Sequence, residues 1–377
     1  MNVVELARAL IRAESVTPAG APVFDIVDEA LTAAGFSVTR LTFGEDGTSV
    51  DNLFATKGEG GRHIALAGHV DVVPPGNPAD WRHPPFAAAV DGDTLYGRGA
   101  QDMKGAVAAM IVAGTEWAGG EMGGQISFLI TGDEEGPAIH GTKPLVAWAA
   151  ERVEVDACIV GEPTSREVLG DTIKIGRRGS TSGEIVVTGK QGHVAYQALA
   201  HNPIPTLLAI GEALNAPLDE GSDTFDPSNL EIVSVDVSNP AFNVIPAEAR
   251  LRFNVRANDL WTTDTLKEAL SARVRHAAPK ADITITWQEG ASEAFVTRDP
   301  VFIQSVSDAI ERQTGVRPTP TTGGGTSDAR FIKDHFPVIE FGAVGSTMHQ
   351  VDERTSLSEL ERLKNCYLAI IDSVLTG

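Results

Sequence analysis

The sequence predicts an α/β fold in which a larger domain with a mostly parallel sheet is interrupted by an inserted α+β domain. Two observations predict it. In the first part of the chain, short and entirely apolar segments alternate with helical stretches, which is typical of a parallel sheet covered on both faces. In the middle, strand candidates alternate apolar with polar residues, which is typical of an antiparallel sheet with one face in water. The first pattern returns after about residue 291.

The elements of the first part follow from the spacing of its apolar residues. A first helix is predicted where Val3, Val4, Ala7, Leu10 and Ile11 recur at helical spacing. A second helix is predicted over 103–117, where small and apolar residues suit a helix packed along a sheet. The buried strands are predicted at 63–67 (HIALA), 125–130 (QISFLI) and 156–160 (DACIV).

The middle of the chain has four alternating strand candidates and two helical stretches. The strands are predicted at 183–188, 230–236, 249–256 and 282–287, and the helices at 205–215 and 262–277. Beyond them, the first pattern returns as a helix at 301–314, a strand at 337–341 and a last helix from Ser356. The predicted domains are therefore 1–177 together with 292–377, and an inserted domain over 178–291 with an antiparallel sheet and two helices.

Length and composition exclude several classes of protein. The 377 residues have room for two domains, and 42% hydrophobic with 21% charged residues is ordinary globular usage rather than disorder. With 30 basic and 51 acidic residues the formal net charge is −21, which argues against a nucleic-acid surface. No segment reaches the roughly 18 unbroken apolar residues of a membrane span. Two cysteines, Cys158 and Cys366, fit a reducing compartment, so we expect a cytoplasmic protein.

Five segments place a histidine or a carboxylate where a strand candidate ends. They are GHVD at 68–71, GAQD at 99–102, GDEEG at 132–136, GEP at 161–163 and MH at 348–349. Because the carboxyl ends of parallel strands line one crevice, we expect these side chains to converge. Imidazole and carboxylate groups in this number are suited to zinc or a similar divalent cation.

Each of these segments also has an ordinary structural interpretation. A single histidine after a strand is usually a hydrogen-bonded loop residue, Asp102 could cap the next helix, and Glu134 with Glu135 could form a solvated turn. The coincidence of five such segments favours a metal site. In such a site one of the adjacent glutamates can bind metal while the other acts as a base, and Asp71 can orient the ring of His69. A single carboxylate such as Asp102 can bridge two cations about 3.5–4 Å apart.

A longer series of motifs resembles a known enzyme family. In chain order they are HVDVVPPG, LYGRGAQDMKG, TGDEEG, GEPT, GRRGS, GKQGHVAY, NVIP, GGGTSDARF and MHQVDE. They resemble the two-zinc amidohydrolase family of aminoacylases, acetylornithine deacetylases and glutamate carboxypeptidases. The resemblance covers the chain from its first helix to its last, and it implies metal-assisted hydrolysis of an amide.

The resemblance also implies the metal ligands. His69 and Glu162 would hold one zinc ion, Glu135 and His349 the other, and Asp102 would bridge the two. Cobalt or manganese suits the same nitrogen and oxygen ligands.

The catalytic roles are implied in the same way. Glu134 would be the general base, and Asp71 would orient His69. His193 would stabilise the oxyanion from the inserted domain of a second subunit, so that this domain would be both a lid and the dimerisation domain of a homodimer. Without the family resemblance, His193 would be interpreted as a structural loop histidine.

Three of these motifs, GRRGS, GKQGHVAY and NVIP, together with the segment WRHPPF at 81–86, point within the family to hydrolysis of N-succinyl-LL-diaminopimelate. This substrate has carboxylates on both its succinyl and its amino-acid parts, and paired arginines suit bidentate recognition of carboxylate, although a charged hinge would also account for them. The residues implied to line the substrate cleft are Lys174, Arg177, Arg178, Ser180, Tyr196, Asn243, Arg256, Gly325 and Thr326. Two departures bear on substrate preference. The segment 196–205 reads YQALAHNPIP where the family usually reads YPHLADNPIH, and Gly345 stands where it usually has asparagine.

Two other functions stay open. An acetylornithine-type deacetylase or a dipeptidase would use the same metal core, but the arginine pair favours a succinyl substrate because an acetyl group offers no carboxylate. A binding protein that kept the fold and lost catalysis would lack a ligand or the base, and the sequence has all of them.

Overall fold

The structure is a computed structural model that describes residues 2–45, 47–117 and 123–376. Its backbone divides into two units. The first comprises Met1–Ile175, Thr297–Thr321 and Ser327–Gly377, and the second comprises Gly176–Val296 and Thr322–Thr326. The second unit therefore interrupts the sequence of the first.

The elements of the described residues are numbered in chain order. The helices are α1 (Val3–Arg12), α2 (Ala21–Ala33), α3 (Lys104–Trp117), α4 (Thr142–Ala150), α5 (Pro203–Leu214), α6 (Thr263–Ala277), α7 (Pro300–Thr314), α8 (Ala329–Ile332) and α9 (Leu357–Thr376). The strands are β1 (Ser37–Phe43), β2 (Val50–Glu59), β3 (His63–His69), β4 (Ala89–Asp91), β5 (Thr94–Tyr96), β6 (Gly124–Thr131), β7 (Ala157–Val160), β8 (Thr172–Lys174), β9 (Gly176–Arg177), β10 (Gly179–Thr188), β11 (Gly192–His193), β12 (Asn229–Asp236), β13 (Val244–Ile245), β14 (Glu248–Ala257), β15 (Asp282–Trp287), β16 (Phe295–Val296), β17 (Thr319–Thr321), β18 (Val338–Glu340) and β19 (Arg354–Ser356).

An eight-stranded sheet in the order β1-β2-β6-β3-β7-β18-β8-β17 organises the first unit. Strands β6, β3, β7 and β18 run parallel to one another, and β8 runs parallel to β17. The remaining neighbours are antiparallel. Every residue of β3 and β7 is buried, which is why these strands are apolar runs without alternation. The predicted mostly parallel main sheet is confirmed.

Helix α3 is buried along most of its length, and this burial fixes its position in the first unit. All its residues from Lys104 to Gly114 are buried, and the helix packs against α1, α9 and β3. Two glycines permit the close approach. A Cβ at Gly114 would lie 2.7 Å from the Phe128 ring, and one at Gly68 would lie 2.4 Å from the Met103 methyl. The start of α3 is thereby held against the end of β3.

The second unit has a four-stranded antiparallel sheet in the order β12-β14-β10-β15. Helices α5 and α6 pack together, and α5 contacts β10 and β14. Along β10 and β14 every second residue is buried, so that Ile185, Val187, Leu251, Phe253 and Val255 join the core beneath the helices. The predicted antiparallel sheet with alternating strands is therefore confirmed.

Several helix ends follow ordinary capping chemistry. Asn2 begins α1 by accepting hydrogen bonds from the backbone N–H groups of Val4 and Glu5 at 2.9 and 3.2 Å. Asp299 begins α7 in the same way, and α7 ends at Gly315, whose φ of +73° is left-handed.

Some elements were not indicated by the sequence patterns. Among them are α2, α4, the edge strand β1, its neighbour β2, and a small sheet in the order β19-β5-β4. Strand β1 has mostly half-buried residues and so gives neither an apolar run nor a clean alternation. Among the described residues, no helix combines the length and the apolar character that a membrane crossing requires.

Candidate active site

The carboxyl ends of three adjacent parallel strands bring the site together. Strand β3 lies between β6 and β7, with His69 beside Thr131 of β6 and Ala67 beside Val160 of β7. His69 is the last residue of β3, while Glu134 and Glu135 follow β6 and Glu162 follows β7. Asp102 comes from the turn before α3, and His349 comes from the loop after β18.

The five predicted metal ligands lie in two overlapping groups. In the first, His69 Nε2 is 3.2 Å from Asp102 Oδ1 and 3.9 Å from Glu162 Oε1. In the second, His349 Nε2 is 3.3 Å from Asp102 Oδ2 and 2.8 Å from Glu135 Oε1. Within each group of three, ligand atoms lie within 4.8 Å of one another. Asp102 thus directs one oxygen to each group, which is the arrangement of a carboxylate shared by two cations.

The chemistry of this cluster fits divalent metal ions. It offers two imidazole nitrogens and the carboxylates of Asp102, Glu135 and Glu162, which are ligands that zinc accepts. A fourth carboxylate, Glu134, lies in a further group with His69 and Glu135. So many acidic groups in a largely buried place are stabilised by a cation, because unpaired buried charge is costly. The residues present therefore fit a two-metal centre.

Asp71 connects His69 with the segment that carries Glu134 and Glu135. Its side chain is fully buried, and Oδ1 lies 3.5 Å from His69 Nδ1, while its backbone carbonyl accepts from the same nitrogen at 3.0 Å. Its carboxylate also accepts the backbone N–H groups of Glu134 and Glu135 at 3.2 and 2.9 Å. Burial raises the pKa of Asp71, but the hydrogen bond and charge of His69 lower it overall. The sequence predicted the contact with His69 and missed the two contacts with the glutamates.

The surroundings of Glu134 make its carboxylate a stronger base than usual. Burial, together with the negative charges of Glu162 and Asp328, raises the pKa of Glu134 well above its ordinary value. A carboxylate with a raised pKa is suited to accept a proton near neutral pH.

The two histidines are surrounded by carboxylates. Hydrogen bonds to Asp102 and Glu135 raise the pKa of His349 to about 10. Burial lowers the pKa of His69, but hydrogen bonds to Asp102 and Asp71 raise it overall. Because a metal-ligating imidazole is neutral, a cation binding here competes with these protons.

His349 also has an unusual backbone conformation. Its φ is +60°, in the left-handed region that residues other than glycine rarely adopt, and Asp352 has a φ of +59°. Such conformations cluster at functional sites, where the surrounding structure holds them in place.

The predicted oxyanion residue and its neighbours lie in the second unit. His193 is exposed and pairs with Val244 across the β11–β13 ladder, and the N–H of Val194 donates to the carbonyl of Asn243 at 3.1 Å. The ring of His193 lies 5.6 Å from that of Tyr196. His193, Tyr196 and Asn243 thus form one group within this unit.

The predicted substrate residues fall into separate groups. Ser180 of β10 lies beside Arg256 of β14, and the guanidinium of Arg178 donates to Asn229 Oδ1 at 2.9 Å. The buried guanidinium of Arg177 donates to the carbonyl of Gly325 at 2.9 Å, next to Thr326. Lys174 ends β8 in the first unit and is buried. The two arginines, which are adjacent in sequence, therefore have different partners.

Three residues in this region belong to the motifs described above, but the sequence did not indicate a role for them. Asp328, in GGGTSDARF, is buried and contributes to the raised pKa of Glu134. Arg98 and Glu353 form a buried ion pair at 2.6 Å and come from LYGRGAQDMKG and MHQVDE. Their presence in motifs that also carry metal ligands was the available signal.

Comparisons with known proteins show which family the chain resembles. Residues 65–373 match the family described as Peptidase family M20/M25/M40. The chain is 52% identical over 374 residues to the succinyl-diaminopimelate desuccinylase of Afipia carboxidovorans, covering 97% of each chain. It is 53% identical over 368 residues to the enzyme of the same name from Xanthobacter autotrophicus, again covering 97% of each chain.

Solved structures share the fold at low sequence identity. An M20 family metallo-carboxypeptidase from Sulfolobus solfataricus superposes with a TM-score of 0.79 at 15% identity, covering 100% of both chains. The YXEP protein of Bacillus subtilis, a dinuclear metal-binding peptidase of the M20 family, has a TM-score of 0.73 at 18% identity and covers 99% of this chain and 98% of its own. The chain described here belongs to peptidase family M20/M25/M40.

Proposed function

We propose that this chain hydrolyses the amide bond of N-succinyl-LL-2,6-diaminopimelate and releases succinate and LL-2,6-diaminopimelate. The observation that carries the proposal is the pair of ligand groups that share Asp102. The substrate follows from relatives that are 52–53% identical over 97% of both chains and are named succinyl-diaminopimelate desuccinylase. The reaction would serve diaminopimelate and lysine biosynthesis in the cytoplasm of a bacterium.

The metal centre would hold two divalent ions, and zinc is our assignment, with cobalt as the alternative. His69 and Glu162 would bind one ion, Glu135 and His349 the other, and Asp102 both. When bound, such an ion pair lowers the pKa of a water molecule towards about 7 and polarises the carbonyl of the amide.

Glu134 would move the proton that the reaction requires. Its half-buried carboxylate, whose pKa is raised, would accept a proton from the attacking water as the new C–O bond forms. It would then deliver that proton to the amine nitrogen as the C–N bond breaks. Asp71 supports this role because its carboxylate holds the backbone N–H of Glu134 and the ring of His69.

His193 would donate a hydrogen bond to the oxyanion of the tetrahedral intermediate. Its Nδ1 accepts the N–H of Ala195 at 3.1 Å, so that in the neutral ring Nε2 carries the proton. A positioned N–H donor is what a developing oxyanion requires. We propose that His193 serves the active site of a second subunit, together with Asn243 and Arg256.

The second unit would act as the lid and as the dimerisation domain of a homodimer. Its strand β12 is an edge strand of the four-stranded sheet and exposes Val233 and Val235. Apolar side chains on an unpaired edge strand favour association with another chain.

The carboxylates of the substrate would be bound by cationic and polar groups. Lys174, Arg177, Arg178 and Arg256 supply positive charge in a chain whose net charge is −21. Ser180, Tyr196, Gly325 and Thr326 would complete the binding cleft with hydroxyl and backbone groups.

Comparison of two substrates tests this proposal. Zinc-loaded protein is assayed with N-succinyl-LL-diaminopimelate and with N-acetyl-L-ornithine, and kcat/KM is compared. A strong preference for the succinyl compound supports both the substrate and the arginine pair. A preference for the acetyl compound would keep the metal chemistry but reject the substrate, and it would implicate the departures at 196–205 and Gly345. Activity on neither compound would contradict the proposed function.

A further inference from the structure

We propose that Arg98 and Glu353 are positioning residues that hold the His349 loop against the Asp102 turn and thereby set the affinity of the metal site formed by Glu135, His349 and Asp102. This inference rests on the two-metal centre of the proposed function. It concerns residues that contact neither metal nor substrate, and whose effect would be transmitted through the backbone of two ligand-bearing segments.

Glu353 binds the Asp102 turn through both carboxylate oxygens. Oε1 accepts the backbone N–H groups of Gln101 at 2.9 Å and Asp102 at 3.1 Å, and Oε2 accepts that of Gly99 at 3.1 Å. The Glu353 side chain is 0% exposed. A single buried carboxylate therefore fixes three peptide groups within the four residues from Gly99 to Asp102, including the peptide of the shared metal ligand itself.

Arg98 binds the His349 loop from the opposite direction. Its Nη1 donates to Glu353 Oε2 at 2.6 Å and to the carbonyl of Gln350 at 3.2 Å, and its Nη2 lies 3.5 Å from the carbonyl of His349. The side chain is 2% exposed, and its guanidinium lies over the ring of Trp81 at 5.2 Å. The planar fork of arginine can reach the carboxylate and the loop carbonyls at once, which a lysine cannot do.

Further hydrogen bonds join the same two segments. Gln101 Oε1 accepts both the N–H and the hydroxyl of Thr347, at 2.7 and 2.9 Å. Strand β19, which follows Glu353, pairs with β5, which precedes Arg98. The two segments are about 250 residues apart in sequence, yet they form one cross-linked body around the ion pair.

The metal ligands depend on this body to different degrees. His69 ends a fully buried strand and its side chain is 1% exposed, so it is held by the main sheet. His349 lies in a loop, its side chain is 48% exposed, and its φ is left-handed. Loss of the Arg98–Glu353 contacts would therefore release His349 relative to Asp102 while leaving His69 in place.

Zinc binding to the metal-free full-length chain tests the inference without any substrate. Zinc is titrated against a chromophoric chelator to obtain the two dissociation constants for the original chain, for Glu353→Gln and for Arg98→Lys. We expect the ion bound by Glu135, His349 and Asp102 to lose about 10–100-fold in affinity in Glu353→Gln, as is typical when a residue that orients metal ligands is changed. The affinity for the other ion is expected to change less than threefold. Arg98→Lys, which keeps the charge, is expected to shift the constant of the first of these ions in the same direction.

Two further variants assign the effect. In a His349→Ala background, which lacks the second site, Glu353→Gln is expected to leave the remaining zinc affinity unchanged within threefold. Asp299→Asn is the matched control, because the Asp299 carboxylate also accepts two backbone N–H groups, those of Val301 and Phe302 at 2.9 and 3.1 Å, but it does so at the start of α7, outside both ligand-bearing segments. It is expected to leave both dissociation constants unchanged.

The outcomes separate this inference from the proposed function. Thermal unfolding identifies variants that do not fold, and Arg98→Lys carries the test if Glu353→Gln is among them. Two folded variants that bind both ions as tightly as the original chain, or that weaken both ions equally, would overturn the positioning role. An original chain that binds fewer than two ions would overturn the two-metal centre itself, and with it this inference.

Discussion

Replacement of Asp71 by asparagine tests how the site is held together. The Asp71 carboxylate accepts two backbone N–H groups, from Glu134 at 3.2 Å and from Glu135 at 2.9 Å, and lies 3.5 Å from the ring of His69. An asparagine side chain has nearly the same shape but only one acceptor oxygen and no charge. One of the two N–H groups would therefore face an amide NH₂ in a fully buried place.

The size of the effect follows from these contacts. A hydrogen bond to a charged group contributes about 1.5–3 kcal/mol, and about 1.36 kcal/mol corresponds to a factor of ten in rate. We expect Asp71→Asn to lower kcat/KM for N-succinyl-LL-diaminopimelate by about 10–100-fold and to weaken metal binding by a similar factor. The lost hydrogen bond is also expected to lower the thermal unfolding temperature by several degrees.

Steady-state kinetics and zinc titration of the purified variant provide the assay. Asp25→Asn is the control, because Asp25 is an exposed carboxylate that pairs with Arg40 at 3.1 Å and is expected to contribute little. A folded Asp71→Asn variant with kcat/KM and zinc affinity within twofold of the original chain would refute the reasoning.

Three further predictions concern other residues. Glu134→Ala is expected to lower kcat by about 10²–10⁴-fold while metal analysis still finds two ions, since a general base contributes about that much; loss of an ion would show that Glu134 is a ligand. His193→Ala is expected to lower kcat about 10²–10³-fold without changing metal content, as removal of an oxyanion donor does, and unaltered rates would reject this role. Burial raises the pKa of Asp219, but hydrogen bonds from Trp261, Ser228 and Gly221 lower it to about 2. The stabilisation from Asp219 is therefore fully present above about pH 4, the ordinary value for aspartate, and is lost as the pH falls towards 2. Asp219→Asn is expected to flatten the decline in thermal stability over this range, and an identical decline in both proteins would contradict it.

The fold could be predicted where burial leaves a simple pattern. The fully buried strands β3 and β7 are apolar runs, and the half-buried strands β10 and β14 alternate, so both sheets were indicated correctly. Strand β1 could not be recognised, because most of its residues are half-buried and its sequence, SVTRLTF, follows neither pattern cleanly.

The convergence of the site could be predicted because strand ends are local features of the sequence. His69 ends a strand, Glu135 and Glu162 follow strands, and adjacent parallel strands place their carboxyl ends side by side. The contacts of Asp71 with the N–H groups of Glu134 and Glu135 could not be predicted, because they depend on the path of the turn after β6.

The same limit applies to longer-range contacts. Arg98 and Glu353 are 255 residues apart, and no local pattern indicates that they meet. Arg177 and Arg178 were interpreted as a pair, but successive residues of an extended chain point to opposite sides, and their guanidinium groups reach Gly325 and Asn229 respectively.

The central claim is that this chain is an amide hydrolase with two metal ions at one shared carboxylate. Metal-free protein is titrated with zinc, and the rate of N-succinyl-LL-diaminopimelate hydrolysis is followed together with the number of ions bound per chain. For the original chain we expect no hydrolysis without metal and two ions bound at saturation. We expect the Asp102→Asn variant to lose both ions and all measurable hydrolysis. Hydrolysis by the metal-free chain, or full binding and activity in Asp102→Asn, would contradict the claim.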